Sequence, residues 1–302
     1  MDLNSEQLRA LSAVIDHGGF ETAAASLHVT PSAISQRIKA LEKQVGAVLV
    51  RRGKPAAVTE PGAVLLRLAR QVAALETDAA RRLGLDEQAG RPRVLLVINA
   101  DSMATWVLPA LAPLQDISFE FTLEDQDYSA DSLRNGTAMG AVTSSSTAVQ
   151  GCSVEPLGIM RYLAVASPDF VGRWLPEGWN HVSAAAAPMV VFNRRDSLQQ
   201  RFLSDCFGPG LAPPHHFVPA SWDFLQATRL GFGWAVLPDL QAAPLLADGS
   251  LVLLDAGRAL DVPLFWQQWR VDLPPLSRVA EALTSAAARV LASQGTGLAG
   301  TR

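Results

Sequence analysis

Leu8, Leu11, Val14 and Ile15 recur at helical spacing, and Ala23, Ala24 and Ala25 follow within Phe20 to Glu42, FETAAASLHVTPSAISQRIKALE. The polar break before Pro31 predicts a new helix: proline suits the first helical position, and Thr30 can cap the free amides beside it. Down that helix Ile34, Ile38, Leu41 and Val45 form one apolar stripe, while Ser32, Ser35, Gln36, Lys39 and Lys43 fall on the other face. The small alanines let helices approach closely, so the pattern predicts a three-helix unit with a helix-turn-helix inside it. A bundle that touches only protein would satisfy the same spacing. Residues 49–51 and 57–59 could pair as a short hairpin around Arg52, Gly53, Lys54 and Pro55, projecting a basic wing toward a phosphate backbone. That favours a winged helix-turn-helix over residues 1–60.

From Thr59 a long helix is expected, with Pro61 in its first turn. Leu65, Leu68, Val72, Leu75, Ala79 and Leu83 step along it by three or four residues, a seam that wants a partner. Arg67, Arg70, Glu76, Asp78 and Arg82 would leave its other faces polar, which suits a two-helix contact between copies of the chain over 61–90. Packing on its own domain is the alternative. A two-fold dimer would present two winged units to a partly palindromic site.

After a boundary near Gly90-Arg91-Pro92 the pattern alternates strand and helix. Strands are expected over 94–98, 119–123, 139–143, 161–166, 189–192, 234–237 and 264–271. Helices are expected through Leu108, near Leu133, and over 199–207, 222–230 and 279–291. Alternation of this kind implies an α/β module. The tail after Ser293 reads as disordered.

A chain of 302 residues is long enough for this division. Its net charge of −4 is uneven, because residues 1–92 carry 12 Lys and Arg against 10 Asp and Glu, and the remainder 13 against 19. Residues 1–60 are nearly neutral, so charge placement rather than total charge must carry any DNA contact. With no N-terminal apolar signal, no spanning apolar run and no metal-type spacing at Cys152 or Cys206, a cytoplasmic protein with reduced thiols and no membrane partner is expected.

Thr30-Pro31-Ser32-Ala33-Ile34-Ser35-Gln36-Arg37, Lys39-Ala40-Leu41-Glu42 and the later Asn99-Ala100-Asp101-Ser102 with Thr105-Trp106 resemble the LysR-type transcriptional regulators. Within them the resemblance is to the subfamily that senses basic amino acids and controls a lysine or arginine exporter. The resemblance implies that the second helix of the motif enters the major groove, with contacts from Thr30, Ser32, Ser35, Gln36, Arg37 and Lys39. Arg51, Arg52 and Lys54 would contact phosphates from the wing, although Val50 stands where phenylalanine is usual. It further implies two Rossmann-like lobes shaped like a periplasmic solute-binding protein over 91–302: lobe I about 91–160 and 268–302, lobe II about 161–267. The chain would cross near 158–161 and return near 265–268. No cofactor is implied. The expected partners are an operator duplex, a second copy of the chain in a homodimer or homotetramer, RNA polymerase, and an effector that is L-lysine or L-arginine, with L-histidine a third candidate.

In open α/β sheets ligands sit beyond the carboxyl ends of strands, beside helix N-termini. Ser102, Thr143 and Ser144 could there hold a carboxylate, although an N-cap or a solvated loop would use the same hydroxyls. A basic side chain needs acidic or π-rich partners, and the candidates are Asp101, Glu124, Asp125, Asp196 and Asp223, with Trp106 and Trp222 as stacking surfaces. Solvated acids and core tryptophans are the alternatives. Asp101 ranks first through its place after a strand and its resemblance to the sensor segment. Catalysis is not expected: no G-x-S-x-G elbow, H-E-x-x-H pair, P-loop or G-x-G-x-x-G follows a strand, and His215-His216 is adjacent rather than spaced for one helix face. The rival reading is an architectural or replication-inhibiting DNA-binding protein that ignores small molecules.

Overall fold

The computed structural model describes residues 3–85, 90–123 and 129–291. Three helices open the chain: α1 (Ser5–Asp16), α2 (Phe20–Ser26) and α3 (Pro31–Val45). Leu8, Leu11, Val14, Ala23, Ala24, Ile34, Ile38 and Leu41 are buried, whereas Ala25 faces out. Thr30 caps α3 by accepting from the Ala33 amide at 3.2 Å. Thr30→Ala is therefore expected to lower the stability of this unit by about 1 kcal/mol in urea unfolding, with the fold retained. β1 (Val50–Arg51) and β2 (Ala57–Val58) form the wing, paired antiparallel at Val50 with Val58 and at Arg51 with Ala57. The Glu42 carboxylate accepts from the Leu49 amide at 2.9 Å and so ties α3 to the base of the wing.

α4 (Glu60–Arg82) starts at a Thr59 cap that accepts from the Gly62 amide. The expected seam is divided. Leu65 is buried in the winged unit's core and Leu68 packs against it, while Leu75 and Leu83 are 40% and 70% exposed. The other faces are not simply polar and solvated either. Asp78 is buried beneath ion pairs with Arg81 and Arg82, and Arg67 and Arg70 turn toward the α/β module.

That module begins with β3 (Arg93–Ile98), followed by α5 (Ala100–Ser102), a π-helical turn (Met103–Val107) and α6 (Leu108–Leu111). β4 (Ser118–Leu123), α7 (Ser129–Asn135) and β5 (Gly140–Thr143) complete lobe I, with β4 and β5 parallel to β3 on either side. β6 (Cys152–Ala166) starts well before the expected strand and leads into α8 (Pro168–Trp174), α9 (His181–Ala186) and β7 (Met189–Val191). Lobe II continues through α10 (Leu198–Phe207), β8 (His215–Phe217), α11 (Ser221–Arg229), β9 (Ala235–Pro238), α12 (Asp239–Ala247) and β10 (Val252–Leu253). β11 (Leu260–Trp269) returns to lobe I, where α13 (Pro274–Val290) packs across α6 and β6.

The lobes are joined by a ribbon. β6 and β11 pair antiparallel from Leu260 with Tyr162 to Trp269 with Cys152, interrupted by a bulge where Leu264 faces Gly158 and Phe265 faces Pro156, so that Leu157 has no opposite residue. Gly158 has φ +136°, and a Cβ there would lie 2.9 Å from that of Leu291, so glycine is required at the bend. Phe265 to Gln268 pair with Thr143 to Gly140 of β5, in the lobe I sheet. The expected disordered tail lies outside the described residues.

Candidate functional site

Two surfaces carry the chemistry. On α3, Ser32, Gln36 and Lys39 are exposed and Ser35 is half-buried, all opposite the stripe that fills the core. The Arg37 guanidinium bonds Glu6 at 2.9 Å, which draws it back toward α1 and away from the row of outward donors. Thr30 is occupied as the cap. On the wing Arg51, Arg52 and Lys54 are exposed, and Arg52 lies 5.0 Å over the Phe20 ring, an interaction that fixes its direction without consuming its donors.

The second surface is a cleft of about 610 Å³ between the lobes. Asn99, Asp101, Leu123 and Ser144 line it from lobe I, and Phe192, Asp196, Arg195, Arg201 and Gln241 from lobe II. Asp261 lines it from the ribbon. The Tyr162 hydroxyl, at the lobe II end of β6, donates to Asp101 Oδ2 at 2.8 Å. Burial pushes the Asp101 carboxyl up to about 6, with the charge of Asp196 adding to the rise and the Tyr162 bond opposing it. An incoming cation would reverse that balance by stabilising the ionised form. Arg161 grips Asp261 through two bonds, Nε to Oδ1 at 2.8 Å and Nη2 to Oδ2 at 2.9 Å, and holds that carboxyl below its ordinary range.

The structure brings together Asp101, Ser144 and Asp196 from the expected set. Asp196 also holds its own turn, accepting from the amides of Phe192 and Leu198 at 3.0 Å each. Ser102, Thr143 and Trp106 are buried behind the wall instead. Thr143 accepts from the Ser145 amide at 3.1 Å and so shapes the turn that presents Ser144. Trp106 belongs to the core. Asp223 and Trp222 are exposed on α11 and do not line the cleft, although Ser221 and Phe224 beside them do, because that helix turns Phe224, Leu225, Ala227 and Thr228 inward. Glu124 and Asp125 lie outside the described residues. Tyr162, Arg195, Arg201, Gln241 and Asp261 were not anticipated. Tyr162 sits in an apolar run that reads only as a buried strand, and its contact with Asp101 joins residues 61 apart.

Among the described residues no three side chains are grouped to hold a metal, and no helix is long and apolar enough to cross a membrane. A winged helix-turn-helix joined by a long helix to a two-lobed α/β module with a polar cleft defines a DNA-binding regulator with a ligand-sensing half. Residues 5–63 match the bacterial regulatory helix-turn-helix protein family, lysR type, and residues 88–292 match the LysR substrate binding domain. The chain belongs to the LysR family of transcriptional regulators. It is 47% identical over 292 residues to the HTH-type transcriptional regulator LysG of Mycobacterium tuberculosis, covering 97% of this chain and 96% of that one. The crystal structure of ArgP from Mycobacterium tuberculosis superposes with a TM-score of 0.89 at 48% identity, over 95% of this chain and 98% of that one. Full-length LysG from Corynebacterium glutamicum with bound effector Arg superposes at 0.81 with 37% identity, over 95% and 99%.

Proposed function

We propose that this regulator binds L-arginine or L-lysine in the interlobe cleft, with L-histidine as a third candidate, and that binding changes how two winged units engage an operator. The observation that carries this reading is Asp101. It is a carboxylate at the end of β3 whose side chain, among the described residues, bonds a neutral tyrosine hydroxyl, in a cleft whose volume suits a small molecule. A cationic side chain is the natural counter-ion for such a group. The homologue solved with arginine supports that ligand, and a relative from the same organism is named a lysine export transcriptional regulatory protein, which supports an exporter gene as the target.

The exposed half of α4, with Leu75 and Leu83, supplies the homodimer contact, and two dimers form a tetramer on DNA that meets RNA polymerase. The protein works in the cytoplasm. A ligand shifts operator binding only through its differential affinity for two arrangements, typically about 1–3 kcal/mol. Isothermal titration across the twenty common amino acids tests the reading. Binding confined to arginine, lysine and histidine is expected, and a flat panel would remove the sensing half of the proposal.

A further inference from the structure

One side chain of the long helix α4 reaches both of its neighbours, beside a second ion pair to α1 between Arg9 and Glu76 at 2.6 Å. Arg70 pairs through Nη2 with Asp16, the last residue of α1, and donates through Nη1 to the carbonyl of Asn135, the last residue of α7, at 2.9 Å. The Arg70 side chain is only 16% exposed, so its bond to the Asn135 carbonyl is partly shielded from water, while Asp16, 42% exposed, keeps the ion pair at the surface. One turn earlier, Arg67 donates to the carbonyl of Gln150. The backbones are close here: a Cβ on Gly136 would come within 2.9 Å of the Arg67 Cα. Beside these contacts a cavity of about 760 Å³ separates α4 from the lobe I sheet, lined by Ala73, Thr77, Arg81, Thr122, Met139 and Leu276. The junction thus rests on directional polar bonds at one end and on Ala74 against the module's core, rather than on a continuous apolar seam.

The chain gripped by Arg70 runs between two points of the effector cleft. Leu123 and Ser144 both line that cleft, and α7 lies on the stretch that separates them. We propose that Arg70 is the positioning residue that carries cleft occupancy to the DNA-binding unit, by holding the end of α7 and the end of α1 on one guanidinium. The proposal rests on the reading above that the ligand changes DNA binding. The planar fork fixes its two acceptors relative to each other, so a shift of α7 is passed to Asp16 and hence to α1, which packs against α3. A lysine, as a point charge, cannot hold both acceptors in fixed geometry.

The test uses the full chain, L-arginine, and an operator duplex selected from random sequence with the wild-type protein. Arg70→Met keeps the aliphatic stem and removes the fork, while Asp16 keeps its bond from the Ser12 hydroxyl at 2.8 Å. In the wild type, saturating L-arginine is expected to change operator affinity about five-fold or more. In Arg70→Met the ratio should fall to within about two-fold of unity and in Arg70→Lys to an intermediate value, with L-arginine affinity held within about three-fold in both. Asp16→Ala should reproduce the loss, and the double variant should add nothing. An unchanged ratio in Arg70→Met, or a ratio lost together with L-arginine binding, would overturn the proposal. A second arm needs no effector: hydrogen exchange in α7 should slow when operator is added to the wild type and not when it is added to Arg70→Met. Equal slowing in both proteins, or none in the wild type, overturns it as well. Wild-type protein that ignores L-arginine would instead sink the assigned effector, and the exchange arm would still decide the role of Arg70.

Discussion

Asp101→Asn is expected to abolish the response to L-arginine and, at the same time, to make the unliganded protein harder to unfold at neutral pH. The two effects share one cause. In the folded protein the Asp101 carboxyl titrates at about 6, against 3.8 for an ordinary aspartate, because enclosure between the lobes penalises its charge. A folded-state value above the unfolded one means that the native state holds the proton more tightly. The stabilisation that follows is complete below the unfolded value and is lost as pH rises through 6. At neutral pH the ionised group therefore destabilises the empty protein by about 1–3 kcal/mol, the lower part of the range applying if the cleft admits water. Asparagine carries no charge and can still accept from the Tyr162 hydroxyl. Its unfolding midpoint should exceed that of the wild type at pH 7.5, and the gap should close near pH 4.

Binding runs the other way. A buried partner to a cationic ligand, once neutralised, forfeits about 2–5 kcal/mol, or roughly thirty-fold and upward in affinity. Wild-type affinity for L-arginine should also fall by up to about ten-fold per pH unit below 6, while the variant stays flat. Calorimetry at pH 5, 6 and 7.5 with differential scanning of both proteins reads all of this. If the asparagine variant bound L-arginine as the wild type does at pH 7.5, Asp101 would be removed from the site.

Gln36→Ala should strike the opposite end of the molecule. Gln36 is exposed on α3, opposite the buried Ile34, Ile38 and Leu41, and its amide can present a donor and an acceptor to one base edge. One such paired interaction is worth about 1–3 kcal/mol of discrimination, and a dimer makes it twice, so specific affinity should drop by about 2–6 kcal/mol over a two-fold operator. Nonspecific binding and L-arginine affinity should stay as they are. Lys39→Ala gives the contrast: taking a cation away from the phosphate backbone should weaken all sequences alike and lower the salt slope by about one per protomer. A Gln36→Ala protein that keeps full preference for its operator would show that α3 reads bases through other residues.

The winged unit was legible because its signals are local. Thr30, Pro31 and the stripe from Ile34 to Leu41 lie within a dozen residues, and each acts on its own neighbours. β3 and β5 of lobe I were legible for a similar reason, since buried strands are continuous apolar runs, whereas the edge strand β4 shows itself by alternation of Phe119 and Phe121 with exposed residues. What escaped depends on contacts distant in sequence. Arg37 reads as an outward donor until Glu6, 31 residues earlier, is found beside it. Asp223 and Trp222 read as site residues until the inward face of α11 is known to begin at Phe224. Arg161 and Asp261 are 100 residues apart and become partners only when β6 and β11 align. A heptad-like seam is likewise silent about which half is taken by the chain's own core, as happens at Leu65 on α4.

The ribbon of β6 and β11 limits the kind of motion this sensor can use. Two separate linkers would let the lobes swing, but these strands are bonded to each other from one lobe into the other, and every rung resists shear. The place relieved of that constraint is the bulge at Leu157, backed by the left-handed Gly158 and braced by Leu291. The connection therefore behaves as a leaf spring with one thin section. Any movement between the lobes is expected as a bend at that section, with the rungs on either side keeping their register.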